Sequence, residues 1–434
     1  MEQILEKAKK AAEEAEVYQI SAEETRVRFE ANRLKQVQTN QKTDVALRII
    51  KNGRVGYATA TGIDESDELV RNAVETSEFG TLAKFTLPEK NDYPQINILD
   101  SAVSAISMKE MVNLGEEMIS TITGHNPDII CEAGVNRGII SVCIINSRGG
   151  RSEYHKSFFS LDIEGSLIEE TDILFVGDSD SSCHPITDTE IVTGLVLRQL
   201  ELAKNRATVP GRKMPVIFTP NGVASGLVMP LISAFNGKTV LQGASPIGDK
   251  LGRKAFDSKL QLCDDPTVGY RPGSRPCDDE GIPSQRTTLI NEGKVAAFLY
   301  DLQTAALAGT QSTGNGSRNR GSLPAPSPSA FVISPGATTF EEMVADIKEG
   351  LIVEQLMGAG QGNILGGDFS GNVLLGYRIE NGEITGRVKN TMVAGNIYEL
   401  LKDIVAIGSE ARWVHSFLQT PCIYCSALSV SSKG

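Results

Sequence analysis

The tightest constraint on this chain is a turn. Asn381-Gly382 separates two runs of alternating apolar and polar residues, 373–380 and 383–389. Asn-Gly is the pair that best tolerates the positive φ angles of a two-residue hairpin turn, so a β-hairpin is expected here. A glycine-rich approach (Gly358, Gly360, Gly362, Gly366, Gly367, Gly371) leads into it, and Asn396 with Glu399 signals the cap of a helix read over IYELLKDIVAIG. Asn52-Gly53 predicts a second hairpin over 44–61, and Asn291-Glu-Gly293 a third over 287–299.

Capped helices alternate with these hairpins. Ser107 followed by Glu110, Thr187 by Glu190 and Thr339 by Glu342 each spell a capping box. The last predicts a helix over MVADIKEGLIVEQLM, and a small-residue helix is read around 223–235. Residues 25–38 alternate like one strand, and 129–145 with 153–167 form a strand pair. Hairpins interleaved with capped helices imply an α+β fold of mainly antiparallel sheets with packed helices: an N-terminal α/β-hairpin region, then a β-rich C-terminal domain. The Pro- and Asn-containing stretch 88–94 and the linker Val209–Pro215 suggest three units, 1–100, 101–210 and 211–434.

Charge narrows the partners. A net charge of −12 with a pI near 5.1 argues against direct nucleic-acid binding, which rests on Lys and Arg neutralising phosphates. No run approaches the roughly 18 apolar residues of a membrane span, and the charge-alternating start MEQILEKAKKAAEEAE lacks the apolar core of a signal peptide. Seven scattered cysteines fit reduced thiols better than a disulfide framework, so the expected location is cytoplasmic.

Several motifs lack a residue that their chemistry requires. Gly-Lys-Thr at 237–239 lacks the earlier P-loop glycine, Ile232 standing there, and Gly358-Ala-Gly-Gln-Gly362 lacks the third glycine of a dinucleotide fingerprint, Leu365 standing there. The run 178–182, DSDSS, begins like a calcium loop, but Cys183 replaces its turn glycine and Thr189 its final Glu, so a solvated loop is expected. Cys422 and Cys425 have metal-ligand spacing without a second pair; on an alternating strand they point to opposite faces and read as buried strand cysteines. The acidic pairs after Cys263 and Cys277 read as solvated loops. The stretch 309–328, GTQSTGNGSRNRGSLPAPSP, is long for an unstructured connection, and its arginines suit a carboxylate or peptide carbonyl, which makes it the best functional loop.

Together, DDEGIPSQ, NEGKVAAFLYDLQTAALAGTQSTGNGSRNR, GGDFSGNVLLGYRIENGEITGRVKNTMVAGNIYELLKDIVAIG and the N-terminal RLKQVQTNQKTDVALRIIKNGRVGYATA closely resemble the TldD/PmbA family, named as modulators of DNA gyrase, over nearly the whole chain. In the TldD branch of that family, a His-Glu-x-x-x-His zinc motif occupies the helix after the strand that opens the C-terminal domain, with a further cysteine ligand near the C-terminus. Here 218–235 contains no His or Glu. The resemblance is therefore to the PmbA (TldE) branch. It implies the non-metal subunit of a cytoplasmic metalloprotease that acts on unfolded or leader peptides, with no cofactor in this chain, zinc in a TldD-like partner, and no catalytic or metal-binding residue of its own. A homo-oligomeric peptide-binding protein without protease activity is the alternative. Gly314, Asn315, Arg318 and Arg320 are the expected peptide-binding residues, and replacing both arginines by Ala is expected to spare the melting temperature. Strands around 374–384 and 290–299 are expected to offer backbone hydrogen bonds to an extended substrate.

Overall fold

The computed structural model describes residues 1–62, 66–169, 172–319 and 322–432. After helix α1 (Glu2–Ala8), strands β1 (Glu14–Glu30), β2 (Arg33–Lys51) and β3 (Arg54–Thr61) run antiparallel, followed by α2 (Ser66–Ser77), α3 (Ser101–Ala105) and α4 (Met108–His125). Strands β4 (Ile130–Asn146), β5 (Arg151–Glu169) and β6 (Asp172–Ser182) complete an antiparallel sheet in the order β3-β2-β1-β4-β5-β6. Residues 1–100 and 101–210 thus contribute to one sheet, because β1 pairs with β2 on one edge and with β4 on the other. The alternation read as one strand over 25–38 is broken at Ala31-Asn32, both with positive φ, where the Asn32 side chain donates to Ile129 O and accepts from Cys131 N.

One face of this sheet carries helices. Val27, Phe29, Val135, Phe159 and Leu161 point toward α4, whose Met111, Met118 and Ile122 recur at helical spacing. Gly115 of α4 lies so close to Phe29 that an added Cβ would stand 2.1 Å from its ring. The other face presents Tyr18, Ile20 and Ala22 of β1 beside Ala46 and Asp44 of β2, in register with Ile144, Val142 and Ile140 of β4.

The rest of the chain builds the second sheet. Helix α5 (Glu190–Ala203) precedes β7 (Arg206–Ala207), β8 (Lys213–Phe218), α6 (Pro220–Gly226), α7 (Val228–Phe235) and α8 (Gly237–Leu241). Next come β9 (Leu262–Asp264), β10 (Thr287–Asn291), β11 (Lys294–Val295), α9 (Leu302–Ala308), the small pair β12 (Gly316–Ser317) and β13 (Ala325–Pro326), β14 (Phe331–Ile333) and α10 (Phe340–Ala345). Strands β15 (Glu349–Met357), β16 (Asp368–Glu380), β17 (Glu383–Val388) and β18 (Thr391–Asn396), helix α11 (Ile397–Leu400), and strands β19 (Ile404–Val414) and β20 (Leu418–Ser432) finish the chain. The described part of this sheet has twelve strands, with β20, β8, β15 and β16 adjacent at its centre. Most pairings are antiparallel, β8–β15, β14–β20 and β7–β17 being parallel. The α+β class and the β-rich C-terminal part are as the sequence predicts.

Hairpin turns form where the Asn-Gly pairs stand: Asn52 and Gly53, like Asn381 and Gly382, have positive φ. The third hairpin turns at Glu292-Gly293, and its second strand is only Lys294–Val295. A Cβ on Gly293, at φ +76°, would stand 2.4 Å from Phe256 O. Gly293→Ala is therefore expected to lower unfolding stability by about 1–3 kcal/mol in urea denaturation.

Two predicted helices are mostly strand. The capping box Thr339–Glu342 forms, but α10 ends at Ala345, and Glu349–Met357 is β15, inserted between β8 and β16. Asn396 caps a single turn, α11, after which Ile404–Val414 pairs with β20. In both places an apolar β-branched run fits a central strand better than it fits helical periodicity. The box at Thr187 does not form; Asp188 accepts from Glu190 N at the start of α5.

Candidate functional site

The predicted loop leaves α9 at Gly309, which closes the helix in the left-handed conformation. Gly314 has φ +74° and passes 2.8 Å from Pro283 O, measured from where a Cβ would stand, so no larger residue fits. Asn315 is buried; its amide donates to Asp264 Oδ2 at 2.6 Å and to Ser327 O at 3.1 Å. Gly316 N donates to Asp278 Oδ2 at 2.8 Å, and Arg318 N to Asp279 Oδ2 at 2.7 Å. The loop is not without secondary structure, since β12 and β13 pair across it.

The acidic pairs are buried here, not solvated. Asp264, Asp278 and Glu280 are fully shielded, and Asp279 nearly so. Glu280 Oε1 accepts from Arg48 at 2.5 Å, Arg48 reaches Glu16 Oε2 at 3.1 Å, and Glu16 Oε1 pairs with Arg318. Glu16 and Arg48 are cross-strand partners on β1 and β2. The ladder Arg318–Glu16–Arg48–Glu280 therefore binds the first sheet to two loops of the C-terminal region. Arg275 adds a pair to Asp279 at 3.2 Å. Burial, reinforced by the charge of Glu280, pushes the Asp278 carboxyl up to about 8, and burial pushes Asp264 up to about 6 against three hydrogen-bond donors.

Beside this ladder, a cleft of about 450 Å³ opens between the face of the first sheet and the loop. Its floor is Tyr18, Ile20 and Ala22, Lys42 and Asp44 stand along β2, and Arg318 and Asn319 form the far wall. The Arg318 guanidinium lies over the Tyr18 ring, 5.4 Å from its centroid. Of the described loop residues expected to bind peptide, Gly314, Asn315 and Arg318, only Arg318 lines this cleft. Gly314 and Asn315 turn inward to hold Asp264 and the strand pair, and Arg320 lies outside the described residues. Arg318 is 5% exposed and ion-paired, so Arg318→Ala is expected to lower the melting temperature rather than spare it.

Strand edges also differ from expectation. Of the stretches expected to offer an edge, 374–384 and 290–299, residues 377–380 of β16 lie between β15 and β17, and Ile290 of β10 pairs with both β9 and β11. An open edge occurs instead on β2. Its register with β3 covers only Asp44–Lys51, and Thr43 O accepts from Gly62 N, which leaves 33–42 without a strand on that side among the described residues. That edge leads to Lys42 at the cleft.

The segment 218–235, from the end of β8 through α7, brings no His or Glu. Val223, Leu227, Val228, Leu231, Ala234 and Phe235 are buried in the apolar core on one face of the second sheet. Cys425 belongs to that core, whereas Cys422 packs against the core on the opposite face, as odd spacing on β20 requires. Burial pushes the Cys422 thiol up to about 12. No group of three or more His, Cys, Asp or Glu that could hold a metal ion occurs among the described residues. DSDSS is no solvated loop: it ends β6, and Asp178 is held by both terminal nitrogens of Arg412, at 2.8 and 2.9 Å.

No described helix is long and apolar enough to cross a membrane. The family model for the PmbA/TldA metallopeptidase C-terminal domain matches residues 211–432, and that for PmbA/TldA metallopeptidase domain 1 matches 15–77. An uncharacterized protein of Methanocaldococcus jannaschii is 28% identical over 94% of each chain. A metalloprotease PmbA homolog of Haemophilus influenzae is 24% identical, over 99% of this chain and 94% of its own. Among solved structures, TldE from Thermococcus kodakarensis superposes over the full length of both chains with a TM-score of 0.91 at 22% identity, a likeness of fold.

Proposed function

Because the chain belongs to the PmbA/TldA metallopeptidase family, we propose that it is the non-metal, peptide-holding subunit of a cytoplasmic metalloprotease that degrades or processes unfolded and leader peptides. The observation that carries this reading is the makeup of 218–235. The family implies a metal, and these residues do not fit one: the segment contains no His or Glu, and its inward side chains are hydrocarbon. A zinc-bound water, with its pKa lowered to about 7, supplies a nucleophile at neutral pH. Nothing in the Arg318–Glu16–Arg48–Glu280 ladder replaces it, since each carboxylate there is committed to an arginine. What the chain offers is binding. An extended peptide would add to the open edge of β2 over 33–42 through main-chain hydrogen bonds and reach the cleft at Lys42.

The test is to mix the purified chain with a zinc-motif paralogue from the same genome. The chain alone is expected to carry less than one zinc by elemental analysis and to leave peptides intact, with cleavage appearing on mixing. Ala22→Trp, which fills the cleft floor, is expected to reduce that cleavage at least tenfold while the circular dichroism is retained. Chelator-sensitive cleavage by the single chain would overturn the proposal. Peptide binding by a homo-oligomer, without cleavage in any mixture, would favour a binding protein instead.

A further inference from the structure

A second cleft, of about 330 Å³, lies among β15, β16, β19, β20, α5 and the starts of α6 and α10. Its walls are apolar: Leu195 and Leu202 from α5, Phe340 from α10, and Ile352 and Tyr377 from the sheet, the last two 1% exposed. Such a cavity, with few polar groups at its base, is the usual form of a small-ligand site.

The polar groups at its base do not cancel. Asp178 and Arg412 neutralise each other through two parallel hydrogen bonds. Asn221 donates to Asp178 Oδ2 at 3.1 Å and only distantly, at 3.4 Å, to Glu354 Oε1. Among the described residues, Glu354 therefore stands in the cleft without an ion pair of its own, Arg412 being held by Asp178. Burial raises its carboxyl, with the Asp178 charge adding and Arg412, Thr219 and Asn221 offsetting part of the effect. Toward solvent, Glu341 and Glu410 outnumber Arg198, which is drawn to Glu341 at 3.9 Å and lies over the Phe340 ring. The cleft thus combines an apolar wall with an excess of negative charge at both depths.

We propose that this cleft binds a primary ammonium carried on an apolar body, with Glu354 as its counter-ion and Leu195, Leu202 and Phe340 around the body. The cavity volume suits one apolar residue with its free amino group. Two sources share that chemistry: a small apolar amine, and the free N-terminus of a peptide with an apolar first residue. The second source rests on the peptide-holding reading above; the first does not. The cleft differs in position and lining from the one beside Arg318, so a ligand in one leaves the other open.

Calorimetric titration of the isolated chain separates the cases, because it needs neither partner nor cleavage and therefore stands or falls apart from the proposed complex. The probes are leucinamide, a leucine-initiated tripeptide, and the same tripeptide N-acetylated. Leucinamide is expected to bind, and Glu354→Gln to weaken it at least tenfold; Leu195→Trp, which fills the cleft from α5, is expected to abolish binding with the fold retained by circular dichroism. A tripeptide that binds at least tenfold more tightly free than acetylated identifies peptide termini as ligands, whereas binding by leucinamide alone identifies small amines. Absence of heat with every probe, equal binding to Glu354→Gln, or equal binding of free and acetylated peptide would overturn the assignment.

Discussion

Arg48→Ala is expected to destabilise the chain by about 3–5 kcal/mol, more than any other single change considered. Arg48 is 3% exposed and lies between Glu16 and Glu280, both at 0%. Its removal leaves two carboxylates in a dry interface with one fewer cation, Arg318 being already paired with Glu16. The loss should fall on the joint between the first sheet and the 277–281 loop, so the urea transition is expected to become shallower or split as it moves to lower denaturant. In Arg48→Met combined with Glu280→Gln, charge and counter-charge leave together, and the combined loss should be smaller than the sum of the single losses by at least about 1 kcal/mol. A loss below about 1 kcal/mol for Arg48→Ala would show that water or rearrangement satisfies the carboxylates.

This ladder also marks how far the sequence could be read. Local signals were legible: the Asn-Gly turns at 52–53 and 381–382 and the capping boxes at Ser107 and Thr339 all formed, because each depends on residues within a few positions. Element length was less so. IVAIG after α11 and LIVEQLM after α10 are apolar enough for either period, and only their neighbours in the sheet decide for strand. The site was hidden for a stronger reason. Nothing near Glu280 announces that its partner is Arg48, 232 residues away, or near Asp278 that it accepts from Gly316 N, 38 residues on. The one signal available was composition: acidic pairs beside cysteines, in segments with few Lys, are poor candidates for a solvated loop. The loop 309–328 was singled out by its length and its arginines, which signals neither that Asn315 turns inward onto Asp264 nor that Arg318 pairs with Glu16. The cleft at Glu354 depends on α5, α10 and the strands β15, β19 and β20 meeting, and no motif records it.

The buried acids make a prediction with a definite sign. The folded-state pKa of Asp278 is raised to about 8, and that of Asp264 to about 6, both above the ordinary value of 3.8. The folded chain therefore binds protons at these sites that the unfolded chain has already released, and stability falls as pH rises through that interval. The contribution is fully present below about pH 4, declines while the folded carboxyls stay protonated and the unfolded ones are ionised, and levels off near pH 6 for Asp264 and near pH 8 for Asp278. Asp278 and Glu280 titrate as a unit, because each carboxylate raises the cost of charging the other. Asp278→Asn removes this titration. Its amide oxygen can still accept from Glu280 N and Ile282 N, the two donors now at Asp278 Oδ1, but its nitrogen cannot accept from Gly316 N. The variant should therefore be the less stable form at pH 5, with the gap narrowing by more than about 1 kcal/mol by pH 9 as the wild-type carboxylate is forced to ionise. Urea denaturation of both proteins at pH 5, 7 and 9 measures that gap; a gap that stays constant or widens with pH would mean that the three backbone donors keep Asp278 ionised throughout.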